Sequence, residues 1–150
     1  MRLLPRSDFD ESDPRRAIGQ IEIGEFSENF PMALSYWNGG EYRESWELAI
    51  RLLVEGEIET SCLVASIGEP TTANFISCWP LYRREEKVFV QNSLIFTNEL
   101  DEPFDPNQPW LSVEPRTTVD EDGLRISEWE TTVSDLREFL QNISRAPKSS

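Results

Sequence analysis

Histidine is absent from this 150-residue chain. That removes the usual general base, the side chain that switches charge near neutral pH, and the commonest metal ligand. Serine, threonine and cysteine nucleophiles are left without an imidazole to activate them. Cysteine is scarce, with only Cys62 and Cys78. Two cysteines without histidine make no zinc site. No apolar run approaches the roughly 20 residues of a membrane span. The N-terminus, Met1 to Asp8, has no apolar core of a secretory signal. The expected location is therefore cytoplasmic, with both thiols reduced. Positive charge is short as well. There are 14 Lys and Arg against 28 Asp and Glu, for a net charge of −14. Such a surface repels nucleic-acid phosphates and anionic membranes. These absences argue for no enzyme, no cofactor, no metal, no nucleic-acid ligand and no membrane.

What is present is acid in one place. Residues 97–130 hold Glu99, Asp101, Glu102, Asp105, Glu114, Asp120, Glu121, Asp122, Glu128 and Glu130, with Arg116 and Arg125 as the only bases. More than half of the net charge lies there. A field of this sign attracts a basic protein and speeds the encounter by steering. With 38% apolar residues and five tryptophans, the chain has enough to bury a core. Its length is that of one domain, taken as 16–145 between a flexible arm (1–15) and a frayed tail (146–150).

The periodicities set the elements. Ile18, Ile21 and Ile23 indicate a first strand, and Phe26 to Asn38 reads as irregular. Asn38 and Glu41 form a capping pair before Tyr42, Trp46, Ala49, Ile50 and Leu53, which recur at helical spacing up to Gly56. Strands follow at Ile58–Ile67, Asn74–Arg83 and Val88–Phe96, joined by short connections that make them antiparallel. Four prolines mark 97–115 as a long loop, with Phe104 and Trp110 as anchors. Arg116–Val119 and Leu124–Thr131 read as a hairpin, and Leu136, Phe139, Leu140 and Ile143 as a second helix over 132–143. The predicted class is α+β, a mainly antiparallel sheet of five or six strands packed with two helices. Trp46, Ile50, Leu53, Leu63, Trp79 and Leu140 are the expected core.

Asp120-Glu121-Asp122-Gly123 superficially suggests a calcium loop, but the glycine comes too early and the flanks are strand-like. It reads instead as a solvated hairpin tip. A glycosidase-type carboxylate pair needs one buried acid, whereas these acids lie in turns. Tryptophans that stack on bases need a basic groove, the reverse of this charge. Cys62 and Cys78 are equidistant from Pro70 and face each other if the turn is centred there; a buried, reduced pair is the plainer reading. The candidate interface is Asp101, Glu102, Asp105, Asp120, Glu121, Asp122 and Glu128, with Trp110 as its apolar anchor. The competing arrangement has Glu128 and Trp129 serving the fold and Arg116 pairing internally with an acid.

A family resemblance runs through most of the chain. Its residues are Pro31 to Trp37, Tyr42, Trp46, Leu63 to Ser66, Glu69-Pro70, Asn74-Phe75, Trp79, Leu81-Tyr82, Val88 to Asn92 and Phe96. The densest block is Arg116-Thr117-Thr118, Asp122-Gly123 and Ile126 to Trp129. The chain resembles the immunity proteins of bacterial contact-dependent growth inhibition, of the type that neutralises a toxin domain cleaving 16S ribosomal RNA. The resemblance covers about residues 30–139. The N-terminal 25 residues and the detail of the Pro-rich acidic loop depart from it. It implies a Whirly-like fold without DNA binding, and a monomeric antidote in a one-to-one complex with a toxin nuclease domain. The charge agrees, because a ribonuclease cleft that holds a polyanion is basic.

Overall fold

The computed structural model describes residues 2–3, 16–23, 26–69 and 72–145. The expected arm over 1–15 lies outside these apart from Arg2–Leu3, and the expected tail over 146–150 lies outside them entirely. In chain order the elements are β1 (Arg2–Leu3), β2 (Arg16–Ile23), β3 (Phe26–Ala33), α1 (Gly39–Val54), β4 (Thr60–Ser66), β5 (Phe75–Arg84), β6 (Lys87–Gln91), β7 (Ser93–Phe96), β8 (Glu128–Thr132) and α2 (Val133–Arg145). One sheet has the order β1-β2-β3; the other has β4-β5-β6-β8, with β7 also on β5. Every pairing is antiparallel. The class is α+β, as predicted, with more strands than expected.

One extra strand is β3, in the stretch read as irregular. Buried Phe30 and Met32 alternate with exposed Asn29 and Pro31, the period of a half-buried strand. Eight cross-strand pairs join it to β2. Pro31 disguises this pattern, yet β3 is an edge strand of its sheet, where proline is tolerated. Gly19 lies opposite Phe30, and a Cβ there would come within 2.7 Å of the ring. Only glycine admits the close approach.

Helix α1 starts where its sequence says. Asn38 Oδ1 accepts from the Glu41 amide at 2.9 Å, and Glu41 Oε1 in return accepts from the Asn38 amide at 3.2 Å. Gly56, at φ +79°, follows the helix end. Arg83 Nη1 donates to the terminal carbonyls of Leu53 and Val54 at 2.7 and 2.9 Å, satisfying acceptors the helix leaves open. The buried stripe is Tyr42, Trp46, Ala49, Ile50 and Leu53. Trp46 stacks on Phe30 and Phe139 and donates Nε1–H to Val64 O at 2.8 Å, so the largest core side chain is also satisfied. Tyr42 donates to Ala33 O at 2.6 Å and accepts from the Ile67 amide at 2.9 Å. It pins β3 and the end of β4 to the helix.

The strand expected over Val88–Phe96 is cut in two, and Pro80 is the cause. Leu81 pairs with Val90 and Cys78 with Ser93, so the register is unchanged across the break. Thr97 N donates to Asn74 O at 3.1 Å, which sets the alternation of bonded and non-bonded pairs. In that phase Gln91 faces Pro80 at a bonded position, and proline has no N–H to give.

The face of the larger sheet carrying Leu63, Trp79, Leu81, Val88 and Val90 is core, and Trp79 meets Phe30 edge-on. The other face carries Cys62, Val64, Cys78, Pro80 and Tyr82. Both cysteines are free and buried. They are diagonal, not directly opposite: Cys62 faces Pro80 and Cys78 faces Val64, because the turn is centred later than Pro70 and a register shift follows Val64. The hairpin expected over 116–131 reduces to one bridge, Val119 with Arg125, since β8 pairs with β6 instead. Helix α2 buries Val133, Leu136 and Phe139; Leu140, expected in the core, is half-buried at its margin. Thr132 Oγ1 caps it, accepting from the Asp135 amide at 3.1 Å.

Candidate binding surface

The acidic segment between β7 and β8 is laid over the second sheet face and held there by its own apolar residues. Phe104 is buried, and Leu100, Trp110 and Val113 pack against the core. Two short 3₁₀ turns, Thr97–Glu99 and Pro109–Ser112, lie within the segment. Polar ties fix the segment further along. Tyr82 Oη donates to Glu114 O at 3.0 Å, and Gln91 Nε2 donates to Thr117 O at 3.0 Å. Burial pushes the Tyr82 phenol up to about 12. Arg116 lies 4.1 Å over the Phe89 ring and forms a two-pronged pair with Glu128 at 2.8 and 2.7 Å. Gln91 Nε2 also donates to Glu128 at 2.8 Å. The Arg116 bond holds the Glu128 carboxyl below its ordinary range, against an opposing push from burial.

The predicted site residues fall into three groups. Asp101, Glu102, Glu121 and Asp122 are exposed and carry their charge outward. Asp105 and Asp120 shape the backbone. Asp105 accepts from the Asn107 amide at 2.8 Å and from Gln108 Nε2 at 3.2 Å. Asp120 Oδ1 accepts from the Asp122 and Leu124 amides, each at 2.9 Å, closing a turn around Gly123 at φ +79°. This is the arrangement of a self-capped acidic turn. Glu128 is engaged internally by Arg116 and Gln91, the competing arrangement foreseen from sequence.

Trp110, the predicted anchor, is half-buried against the core. The apolar groups that reach outward are its neighbour Leu111, 68% exposed, and Leu124 and Val119 at the hairpin tip, 65% and 53% exposed. Sequence reasoning passed over these three. The available signal was an apolar residue directly after Gly123, in a charged turn. Together the segment presents carboxylates around isolated apolar side chains, a composition suited to a basic protein surface with an apolar centre.

The CdiI N-terminal domain family matches residues 32–139. A protein of Enterobacter cloacae subsp. cloacae named Immunity protein CdiI is 38% identical over 126 residues, spanning 83% of this chain and 84% of that protein. A chain in the solved CdiA-CT/CdiI toxin and immunity complex from Enterobacter cloacae has TM-score 0.77 and 35% identity, covering 87% of this chain and 88% of that one.

Proposed function

The chain belongs to the CdiI N-terminal domain family, and from that premise we propose that it is an immunity protein that binds and neutralises the toxin domain of a CdiA-type protein. The proposed partner is a nuclease domain, specifically a ribonuclease, held in a one-to-one complex in the cytoplasm. Residues 16–145 act as one domain. Inhibition is by occupancy, with no bond made or broken.

The observation that carries this reading is the charge on the segment between β7 and β8. Its outward carboxylates at Asp101, Glu102, Glu121 and Asp122 have no Lys or Arg partner within salt-bridge distance among the described residues. A protein that must hold RNA presents the opposite sign. The two fields therefore steer the partners together. Leu111, Val119 and Leu124 supply apolar contact among the acids, and internally paired Glu128 holds the platform rigid beneath them.

Co-elution on a sizing column tests the proposal, using the C-terminal toxin domain of a CdiA-type protein. The expected result is a single peak with the mass of one copy of each. In cells, expression of this chain should restore growth in the presence of that domain. Separate elution at micromolar concentrations and no rescue of growth would refute it.

A further inference from the structure

Among the described residues, the outer edge of β7 is unpaired. Strand β8 covers the neighbouring strand β6 only as far as Gln91, opposite Glu128. There the chain leaves the sheet, since Ile126 N donates to Thr118 O at 2.9 Å. Among the described residues no strand continues along Ser93–Phe96. The ladder phase fixed by Thr97 and Asn74 makes Ser93 and Ile95 the residues that bond to β5. Leu94 therefore points its N–H and C=O, and Phe96 its N–H, away from β5 toward the open edge; the Phe96 carbonyl instead begins the 3₁₀ turn over Thr97–Glu99. Their side chains are 45% and 43% exposed. Phe96 sits against Phe75, itself 49% exposed, with ring centroids 6.4 Å apart. An exposed apolar edge of this kind is a template for a further strand.

A cleft of about 410 Å³ opens beside that edge. Its floor is the sheet face of Tyr82, Ser93 and Ile95, and its far wall is the acidic segment at Leu100, Val113 and Ile126. Three acidic residues line it, Glu99, Glu114 and Glu121, and no Lys or Arg does among the described residues. A strand added to β7 would send alternate side chains into this cleft.

We propose that an extended, basic segment of the partner adds to the free edge of β7 as an antiparallel or parallel strand, continuing the line that β8 abandons at Gln91. Main-chain bonds to Leu94 and Phe96 give affinity. A Lys or Arg of the segment enters the cleft toward Glu99, Glu114 and Glu121, and an apolar residue on the opposite parity covers Phe75, Leu94 and Phe96. The inference rests on the immunity reading above and names the part of the surface that does the binding.

Amide hydrogen exchange on the full chain, alone and with the CdiA-type toxin domain, tests it without any substitution. In the free chain the Leu94 and Phe96 amides should exchange faster than those of Ser93, Ile95 and Thr97. In the complex they should slow by on the order of tenfold or more. Leu94→Pro supplies a second readout, because it removes an outward N–H and none from the β5 ladder; it should weaken association at least tenfold while leaving thermal unfolding near that of the wild type. A complex that forms with Leu94 and Phe96 exchanging as in the free chain overturns the edge proposal and leaves the immunity reading standing. Absence of any complex overturns both. Equal protection of all five amides in the free chain shows an edge already covered and overturns the proposal as well.

Discussion

Arg116 grips Glu128 with two bonds, Nε to Oε2 at 2.8 Å and Nη2 to Oε1 at 2.7 Å, twelve residues apart in the chain. The pair locks the start of the acidic hairpin onto β8, and the Phe89 ring beneath Arg116 locks both onto β6. A charge pair inside the most acidic region thus serves to hold it in place.

That pair sets a pH dependence. The folded-state pKa of Glu128 is depressed, so its contribution is fully present above the ordinary carboxylate value. It is lost as pH falls through the depressed one, below 4.5. Glu128→Gln is expected to cost about 1–3 kcal/mol at neutral pH, discounted for partial exposure. The cost should vanish in strong acid, where wild-type Glu128 is neutral too. Urea unfolding of both proteins from neutral pH into acid checks this. A difference that stays constant with pH would mean that the charge is not what the pair contributes.

Tyr42 and Tyr82 are both pushed up to about 12, chiefly by burial. A raised folded value means stability that is complete below pH 10 and lost as pH rises toward 12. Phenolate absorbance should show Tyr42 and Tyr82 titrating only near or during alkaline unfolding. Tyr42→Phe leaves Ala33 O and the Ile67 N–H without their partner, at a cost of about 1–3 kcal/mol. Thermal unfolding at neutral pH measures it, and a variant as stable as wild type would show that water replaces the phenol.

The sequence carried α1 almost to the residue, because the capping pair at Asn38 and Glu41 and the stripe from Tyr42 to Leu53 agree with one another. It carried β4 and β5 through their apolar, β-branched runs and the turn between them, and α2 through its cap and stripe. Its failures at β3 and at the β6–β7 break both involve proline. Pro31 argues against a strand only while edge and centre are indistinguishable, and Pro80 interrupts a neighbouring strand whose own residues look continuous. In the candidate surface the acids were legible as charge but not as roles. Asp120 and Asp105 shape turns and Glu128 pairs internally, facts that depend on where backbone amides and Arg116 lie. The edge of β7 left no local signal, since an unpaired edge is a property of the other strands.

Charge reversal separates the outward acids from the structural ones. Asp101→Lys with Glu102→Lys alters two exposed residues whose side chains make no hydrogen bond or ion pair among the described residues, so thermal unfolding should shift little, within about 0.5 kcal/mol. Association with the toxin domain should slow severalfold at low salt, and the loss should shrink as ionic strength rises. Stopped-flow association rates across a salt series measure both. Equal rates at low salt would remove residues 101 and 102 from the steering surface.

Trp110 and Leu111 are adjacent in sequence and opposite in consequence. Trp110 packs against the core, so Trp110→Ala is expected to cost about 3 kcal/mol of stability, at the low end for a buried tryptophan because its burial is partial. Leu111 is 68% exposed, so Leu111→Ala should leave unfolding within about 0.5 kcal/mol of wild type. Binding should divide the other way. Leu111→Ala removes apolar area from the outward surface and should raise the dissociation rate, whereas Trp110→Ala should act on binding only through loss of folded protein. Calorimetric melting and surface-based dissociation rates, measured on the same preparations, distinguish the two. If Leu111→Ala dissociates at the wild-type rate while folded Trp110→Ala dissociates faster, the tryptophan is the anchor after all, and the acidic segment must lift from the core to present it.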